Sequence, residues 1–232
     1  MFWRNPSAAF FNFALPLLFL ALFGAIFAGD QEQLDVLVPG IAGLSVMTTT
    51  FNALAMSMVF LREQGILKRM RGTPLPEPAY LAGIFGNVIT NVVVQVGLVI
   101  IAGKLFLGTG WPADWAELIV FVVAGVICMA SLGIALAHAI PNFDSAPAYV
   151  NIIFLPIMFI SGVFFDAENA PQFLYDIGQI FPLSHIIVGL QGALVTGASL
   201  ADNLDELVFV AVWAVFGVFF AIRGFSWESR AD

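Results

Sequence analysis

The feature that most constrains this chain is its succession of uncharged apolar runs, each long enough to cross the hydrocarbon core of a bilayer. A helix rising about 1.5 Å per residue needs about 20 such residues to span about 30 Å. Only 10% of the 232 residues are charged and 60% are hydrophobic, with a mean hydropathy of +0.97. Such a chain does not bury one aqueous core. Its helices pack side by side in lipid, where backbone polar groups must be satisfied within each segment. The first run, Pro6 to Gly29, is longer than the apolar region of about 7–15 residues in a cleaved signal peptide, so a retained span is expected at about 8–27. Further spans are expected at about 36–61, 80–106, 117–138, 146–165 and 207–225. The fold class is therefore an all-α polytopic membrane protein, six transmembrane helices in a single domain over 1–232.

One stretch is ambiguous, because Ile177–Val195 contains no Asp, Glu, Lys or Arg and could be counted as a seventh span. Pro182, the polar Gln179, Ser184, His185 and Gln191, and glycines at 178, 189 and 192 favour two short helices broken at Pro182. Charge decides between the counts. With six spans and the N-terminus inside, seven of the eight basic residues face the cytosol, leaving only Lys104 outside, and eleven of the sixteen acids fall on the outer side. A seventh span would export Arg223 and Arg230, against the tendency of cytosolic loops to hold Lys and Arg. The expected placement is multi-pass in the cytoplasmic (inner) membrane with both termini cytosolic. The net charge of −8 follows membrane side and implies neither a basic partner nor nucleic acid. The lone Cys128 lies in an apolar run, where it is a small packing residue.

The polar exception is Arg62 to Pro76, which holds four of the eight basic residues, Arg62, Lys68, Arg69 and Arg71. As a helix over 62–71, it puts Ile66, Leu67 and Met70 on one side and Arg62, Glu63 and Arg69 mostly on others. Gly72, Thr73, Pro74 and Pro76 then stop it. Such a cationic helix between two spans serves either as a topology signal on the lipid surface or as a docking element for a cytosolic partner.

A charged pair, then Gly-x-Leu, a basic run and Thr-Pro between the second and third spans resembles the coupling-helix loop of type-2 ABC exporter permeases. The matching residues are Glu63, Gly65, Leu67, Arg71, Thr73 and Pro74, with Arg62 completing the charged pair. A second likeness lies after the fifth span. Phe159-Ile-Ser-Gly-Val-Phe-Phe165, then Pro171, Leu174 and Phe181-Pro182-Leu183, resembles the family's Ser-Gly-x-x-Phe, Leu-Pro, Pro-Leu pattern, here carried by Ser161, Gly162, Phe165, Pro171 and Pro182. Asp166 stands where a proline is usual, and Gln191 where an arginine often closes the motif. The resemblance implies a re-entrant helical hairpin over 166–196 and a cytosolic coupling helix. It also implies a second copy of the chain, two copies of a separate ABC ATPase subunit, and export of a hydrophobic or amphipathic cargo (drug, lipid or glycan).

The residues bear on each implication. A phosphate-cradling loop needs Gly-x-x-x-x-Gly-Lys-Ser/Thr. The nearest stretch, Gly97 to Lys104, has five residues between its glycines, ends in Leu105 and lies within a span. This chain is therefore not expected to hydrolyse ATP; ATP and Mg would be held by the partner, and this chain would bind no cofactor. His138 and His185 fall on opposite sides, and no Cys/His cluster has metal-ligand spacing, so neither a catalytic nor a metal site is expected. No span carries an acid or base at its centre, where an ion-driven transporter usually places one. On the third span Asn87, Asn91 and Gln95 form a polar stripe suited to interhelical hydrogen bonds. In the family the path runs between the second and fifth spans of two protomers, which nominates Phe51, Asn52, Phe154 and Met158 to line it. Ordinary packing is the alternative for those four. A membrane enzyme or a non-ABC integral membrane assembly protein remain the rival functions.

Overall fold

The computed structural model describes residues 6–66, 69, 77–164 and 171–224. Among these there is no strand. Eight helical elements follow in chain order: α1 Pro6–Ile26, α2 Gln31–Glu63, α3 Glu77–Ala102, α4 Trp115–Ala139, α5 Ala146–Ile160, α6 Gln172–Gly178, α7 Pro182–Gln191 and α8 Leu204–Gly224. Wider π-helical turns interrupt α2 at Thr48–Asn52, extend α3 through Gly103–Leu107 and extend α7 through Gly192–Thr196.

The central element is α2. Asp30 begins it, its Oδ1 accepting the Gln33 N–H at 3.3 Å, which satisfies one of the donors a helix start leaves free. Its residues from Leu37 to Met47 are all buried, and it packs against α1, α3, α4 and α7. Two glycines let neighbours approach where a side chain would not fit. A Cβ at Gly40 would lie 2.0 Å from the Val163 carbonyl oxygen, and one at Gly43 would lie 2.7 Å from Ile187. The same device joins α4 to α8, where a Cβ at Gly217 would lie 2.3 Å from the Ser131 hydroxyl. Small residues at crossings are how helices associate in lipid, where the hydrophobic effect does not drive one helix onto another.

Gln31–Glu63, Gly83–Leu107, Trp115–Ala139 and Leu204–Arg223 are long and apolar enough to cross a membrane. The pair Gln172–Gly178 and Pro182–Thr196, bent by 94°, makes a fifth if taken as one span. Outward faces are apolar, as with Val208, Val212, Val215 and Ile222 of α8, which suits lipid and not water. The expected fifth span over 146–165 is corrected here. Its helix stops at Ile160, because Ser161 closes a turn onto the Ile157 carbonyl and Gly162 takes φ +77, a left-handed conformation open to glycine. Fifteen residues rise only about 22 Å, short of the hydrocarbon core.

The bundle has two ends. One gathers the Asp30 start of α2, the α3–α4 connection and the α7–α8 turn: Ala193 accepts the N–H groups of Ala113 (2.8 Å) and Asp114 (3.0 Å). The other holds Arg62 of α2, the end of α4 and the start of α5.

Candidate functional site

The cationic segment does not start as a separate helix at Arg62. α2 continues through Glu63, and the turn comes at Gln64–Gly65, where Gly65 takes φ +62. Arg62 belongs to the packed bundle, only 4% exposed. Its Nη1 donates to the Ala137 carbonyl at 3.1 Å, and its Nη2 to the carbonyls of Ile140 and, at 3.3 Å, Pro141. These are carbonyls at and just beyond the end of α4, which no following helical N–H can satisfy, and a cation there also opposes the helix dipole. Beside it, Glu63 Oε1 accepts the Phe143 N–H at 2.8 Å. Phe60 meets Phe143 edge-on with centroids 5.4 Å apart. Beyond Gly65, Arg69 is exposed, and its guanidinium donates to the Gln64 carbonyl at 2.9 Å. Leu67, Arg71, Thr73 and Pro74, four of the residues expected to contact a partner, lie outside the described residues.

The four residues nominated for a path do not share an open surface. Phe51 (5% exposed), Phe154 (5%) and Met158 (4%) are buried within the single chain, and Asn52 is half-buried. Phe51 lies in the π-helical turn of α2, and its backbone meets α4 so closely that a Cβ at Gly133 would fall 2.6 Å from the Phe51 carbonyl oxygen. On α5, Val150, Phe154 and Met158 form the inward stripe. Tyr149, Ile152 and Phe159 point outward. Phe154 and Met158, nominated to line a path, thus lie on the face of α5 that is packed within this chain. A cavity of about 220 Å³ opens elsewhere, at the Asp30 end, bordered by Gln31, Asp35, Thr109, Trp111, Leu194 and Val195.

The polar stripe on α3 works between and within helices. Thr49 donates its hydroxyl to Gln95 Oε1, and both residues are buried. Asn91 donates to the Asn87 carbonyl and to its side-chain oxygen, both at 2.9 Å.

The Ser-Gly motif and the segment that follows it are built as a fold-back. Ser161, Gly162, Val163 and Phe164 are buried, and Phe164 stacks on Phe23 of α1 at 4.6 Å. Phe165 lies outside the described residues. Pro171 precedes α6, and Pro182 opens α7, where a missing N–H costs nothing. The break between them is fastened by side chains: Ser184 donates to the Gly178 carbonyl at 2.7 Å, and His185 Nε2 donates to the Gln179 carbonyl at 2.8 Å. The other His185 nitrogen meets the Glu206 carboxylate on the first turn of α8, and its ring lies 3.8 Å from that of Phe209. Nearby, Glu117 is fully buried, with Oε1 accepting from Asn203 at 2.6 Å and Oε2 without a hydrogen-bond partner among the described residues.

Sequence reasoning missed the roles of Glu117, Asn203 and Glu206, which stood out only as outer-side polar residues. Their partners lie on other elements, and no local spacing announces such pairs. It also missed the burial of Arg62, for which the one local sign was position: Arg62 directly continues an apolar run.

Comparison with known proteins bears on what this bundle is. The family model for the ABC-2 type transporter matches residues 1–195. A transport permease of Porphyra purpurea, ycf38, is 27% identical over 199 residues, covering 82% of this chain and 68% of the relative. The daunorubicin resistance ABC transporter permease protein DrrB1 of Streptomyces coeruleorubidus is 28% identical over 187 residues, 74% of this chain and 62% of that one. The inner membrane transport permease YadH of Escherichia coli K12 is 21% identical over 208 residues, 87% and 78%. With more than four-fifths of its length matched by the family model, this chain belongs to the ABC-2 type transporter family and is a transport permease.

Proposed function

We propose that the chain is the membrane subunit of an ATP-driven exporter, working as a pair of permeases with two copies of a separate ABC ATPase. ATP and Mg are bound and hydrolysed on that partner. The observation that carries the proposal is the family match over residues 1–195 on a chain whose long α2 runs directly into the cationic segment. The ATPase would dock on the segment between Arg62 and Pro74, with Gly65, Leu67, Arg71, Thr73 and Pro74 as its contact motif.

The proposed topology keeps six passages, the fifth made of the short α5 continued by the non-helical residues 161–164, with Arg62 and both termini cytosolic and the Asp30 end outside, in the cytoplasmic membrane. The re-entrant placement of α6 and α7 is supported by their partners. Gly43, Ala113 and Glu206, all toward the Asp30 end, are what α7 and its extension meet. The cargo is proposed to be hydrophobic or amphipathic, as the word daunorubicin in one relative's name also suggests. Its path would follow the exposed face of α5 (Tyr149, Ile152, Phe159) and Asn52 of α2 in preference to the buried Phe51, Phe154 and Met158.

The test is co-expression with a stand-alone ABC ATPase encoded beside this chain. The two should purify as one complex with ATPase activity above that of the isolated ATPase. Leu67→Asp should abolish that stimulation while leaving membrane insertion intact. A parental chain that neither retains nor stimulates the ATPase would overturn the proposal.

A further inference from the structure

The neighbouring residues Arg62 and Glu63 engage one backbone turn with opposite polarities. The guanidinium takes the carbonyls of Ala137, Ile140 and Pro141, and the carboxylate takes the Phe143 N–H. A turn between two helices offers both kinds of group, and an Arg-Glu pair at one helix end can satisfy both. The turn is stiff on its far side too. Asn142 Oδ1 accepts the Ser145 N–H at 2.9 Å, the Ser145 hydroxyl donates to the Asn142 carbonyl at 3.0 Å, and the Phe143 carbonyl accepts the Ala146 N–H at 3.1 Å. Ala146 is the first residue of α5. An unbroken chain of hydrogen bonds therefore leads from the end of α2 to the start of α5. The edge-on contact of Phe60 with Phe143 closes its side.

We infer that Arg62 and Glu63 are positioning residues that clamp the α4–α5 turn to the end of α2, so that movement of the cytosolic segment is delivered to α5 as well as to α2. The inference rests on the coupling proposal above and changes its assignment of roles. Arg62, buried at 4% exposure and spent on three carbonyls, is not available to an outside partner. Contact with the ATPase then falls to residues after Gly65, whose left-handed turn marks where the clamped helix ends. The arrangement also explains how a push at one segment could reach the short α5, whose outward face is the proposed cargo path. Without the clamp, α5 would be joined to the moving part only by packing.

The test has two arms. In the first, amide exchange is measured on the purified full chain. Glu63→Ala should speed exchange at the Phe143 N–H by about tenfold or more, the loss expected for a hydrogen bond to a charged group. Glu63→Gln should fall between the parental chain and Glu63→Ala, because its amide oxygen accepts the same N–H without the charge. Unchanged exchange in Glu63→Ala would overturn the clamp. In the second arm, Phe60→Cys and Phe143→Cys are bridged by a short bifunctional thiol reagent in a Cys128→Ala background, with the ATPase present. A clamp that stays shut through the cycle predicts that the bridged complex transports at the unbridged rate, and arrest on bridging would overturn it. Arg62→Lys, which keeps the charge but cannot reach three carbonyls in a fixed fork, should leave the ATPase bound and hydrolysing while transport per ATP falls. Dissociation of the ATPase from Arg62→Lys would instead make Arg62 a partner contact and sink the inference. The exchange arm needs no ATPase, so failure of the clamp and failure of the exporter reading are distinguishable.

Discussion

Replacing Phe51 with alanine separates packing from cargo lining at a residue for which the sequence allows both. The ring is 5% exposed within one chain and sits in the π-helical turn of α2. In a water-soluble core a Phe→Ala change costs about 3–5 kcal/mol, part of it transfer free energy and part the cavity left behind. In a membrane the transfer part largely drops out, because lipid tails are as apolar as a protein core. A vacated ring of about 100 Å³ at about 24 cal/mol per Å³ leaves about 2.4 kcal/mol if the surroundings do not collapse. Collapse is restricted on the α4 side, where the Phe51 backbone already touches Gly133. The expected loss is therefore about 2 kcal/mol, read from reversible unfolding in mixed micelles, with the cargo profile unchanged. Ile152→Ala, at a position 74% exposed, is the control and should shift stability by less than about 0.5 kcal/mol. A Phe51→Ala chain of parental stability that responds to a different set of hydrophobic compounds would refute the packing account.

Gly40→Ala should reduce the yield of folded protein sharply, since its Cβ would fall 2.0 Å from a backbone oxygen, whereas Gly83→Ala, with nothing within 4 Å, should not; monodispersity after extraction is the readout. A Thr49→Val, Gln95→Leu double-mutant cycle should give a coupling of about 0.6 kcal/mol, the average for hydrogen bonds between helices in lipid, and a value near zero would remove the bond that joins α2 to α3. In a Cys128→Ala background, a cysteine at Asp176 should react with an impermeant thiol reagent from outside and one at Asp144 only after the membrane is opened. Labelling at 176 from the cytosol alone would remove the six-passage topology and the re-entrant placement of α6 and α7.

Long apolar runs were legible because composition alone governs entry into lipid. The expected spans 80–106, 117–138 and 207–225 overlap the helices Glu77–Ala102 with its extension Gly103–Leu107, Trp115–Ala139 and Leu204–Gly224. The end of α5 was not legible for the same reason. Val163 and Phe164 are as apolar as the helix before them, so composition carries the span onward while the backbone stops at Gly162. On α5, Phe154 and Phe159 are equally aromatic but face opposite ways, one into the chain and one out of it, and residue type alone does not tell them apart. The break at Pro182 was legible from proline chemistry, but the His185–Glu206 contact that fastens it joins residues on two helices. Arg62 shows the limit most clearly. A basic residue at the end of a span suggests the membrane surface, and only the fold brings the α4–α5 turn, more than 70 positions away, against its guanidinium.

The central claim is that this permease moves cargo at the expense of ATP hydrolysed by another subunit. It is tested most directly in proteoliposomes holding the chain together with its ATPase, with a panel of fluorescent hydrophobic compounds and ATP supplied on the side of the cationic segment. The account predicts that at least one compound moves away from that side only when ATP, Mg and both subunits are present. It also predicts that Leu67→Asp stops this movement without releasing the chain from the membrane. Movement that persists without the ATPase, or that follows a proton or sodium gradient instead of ATP, would contradict it.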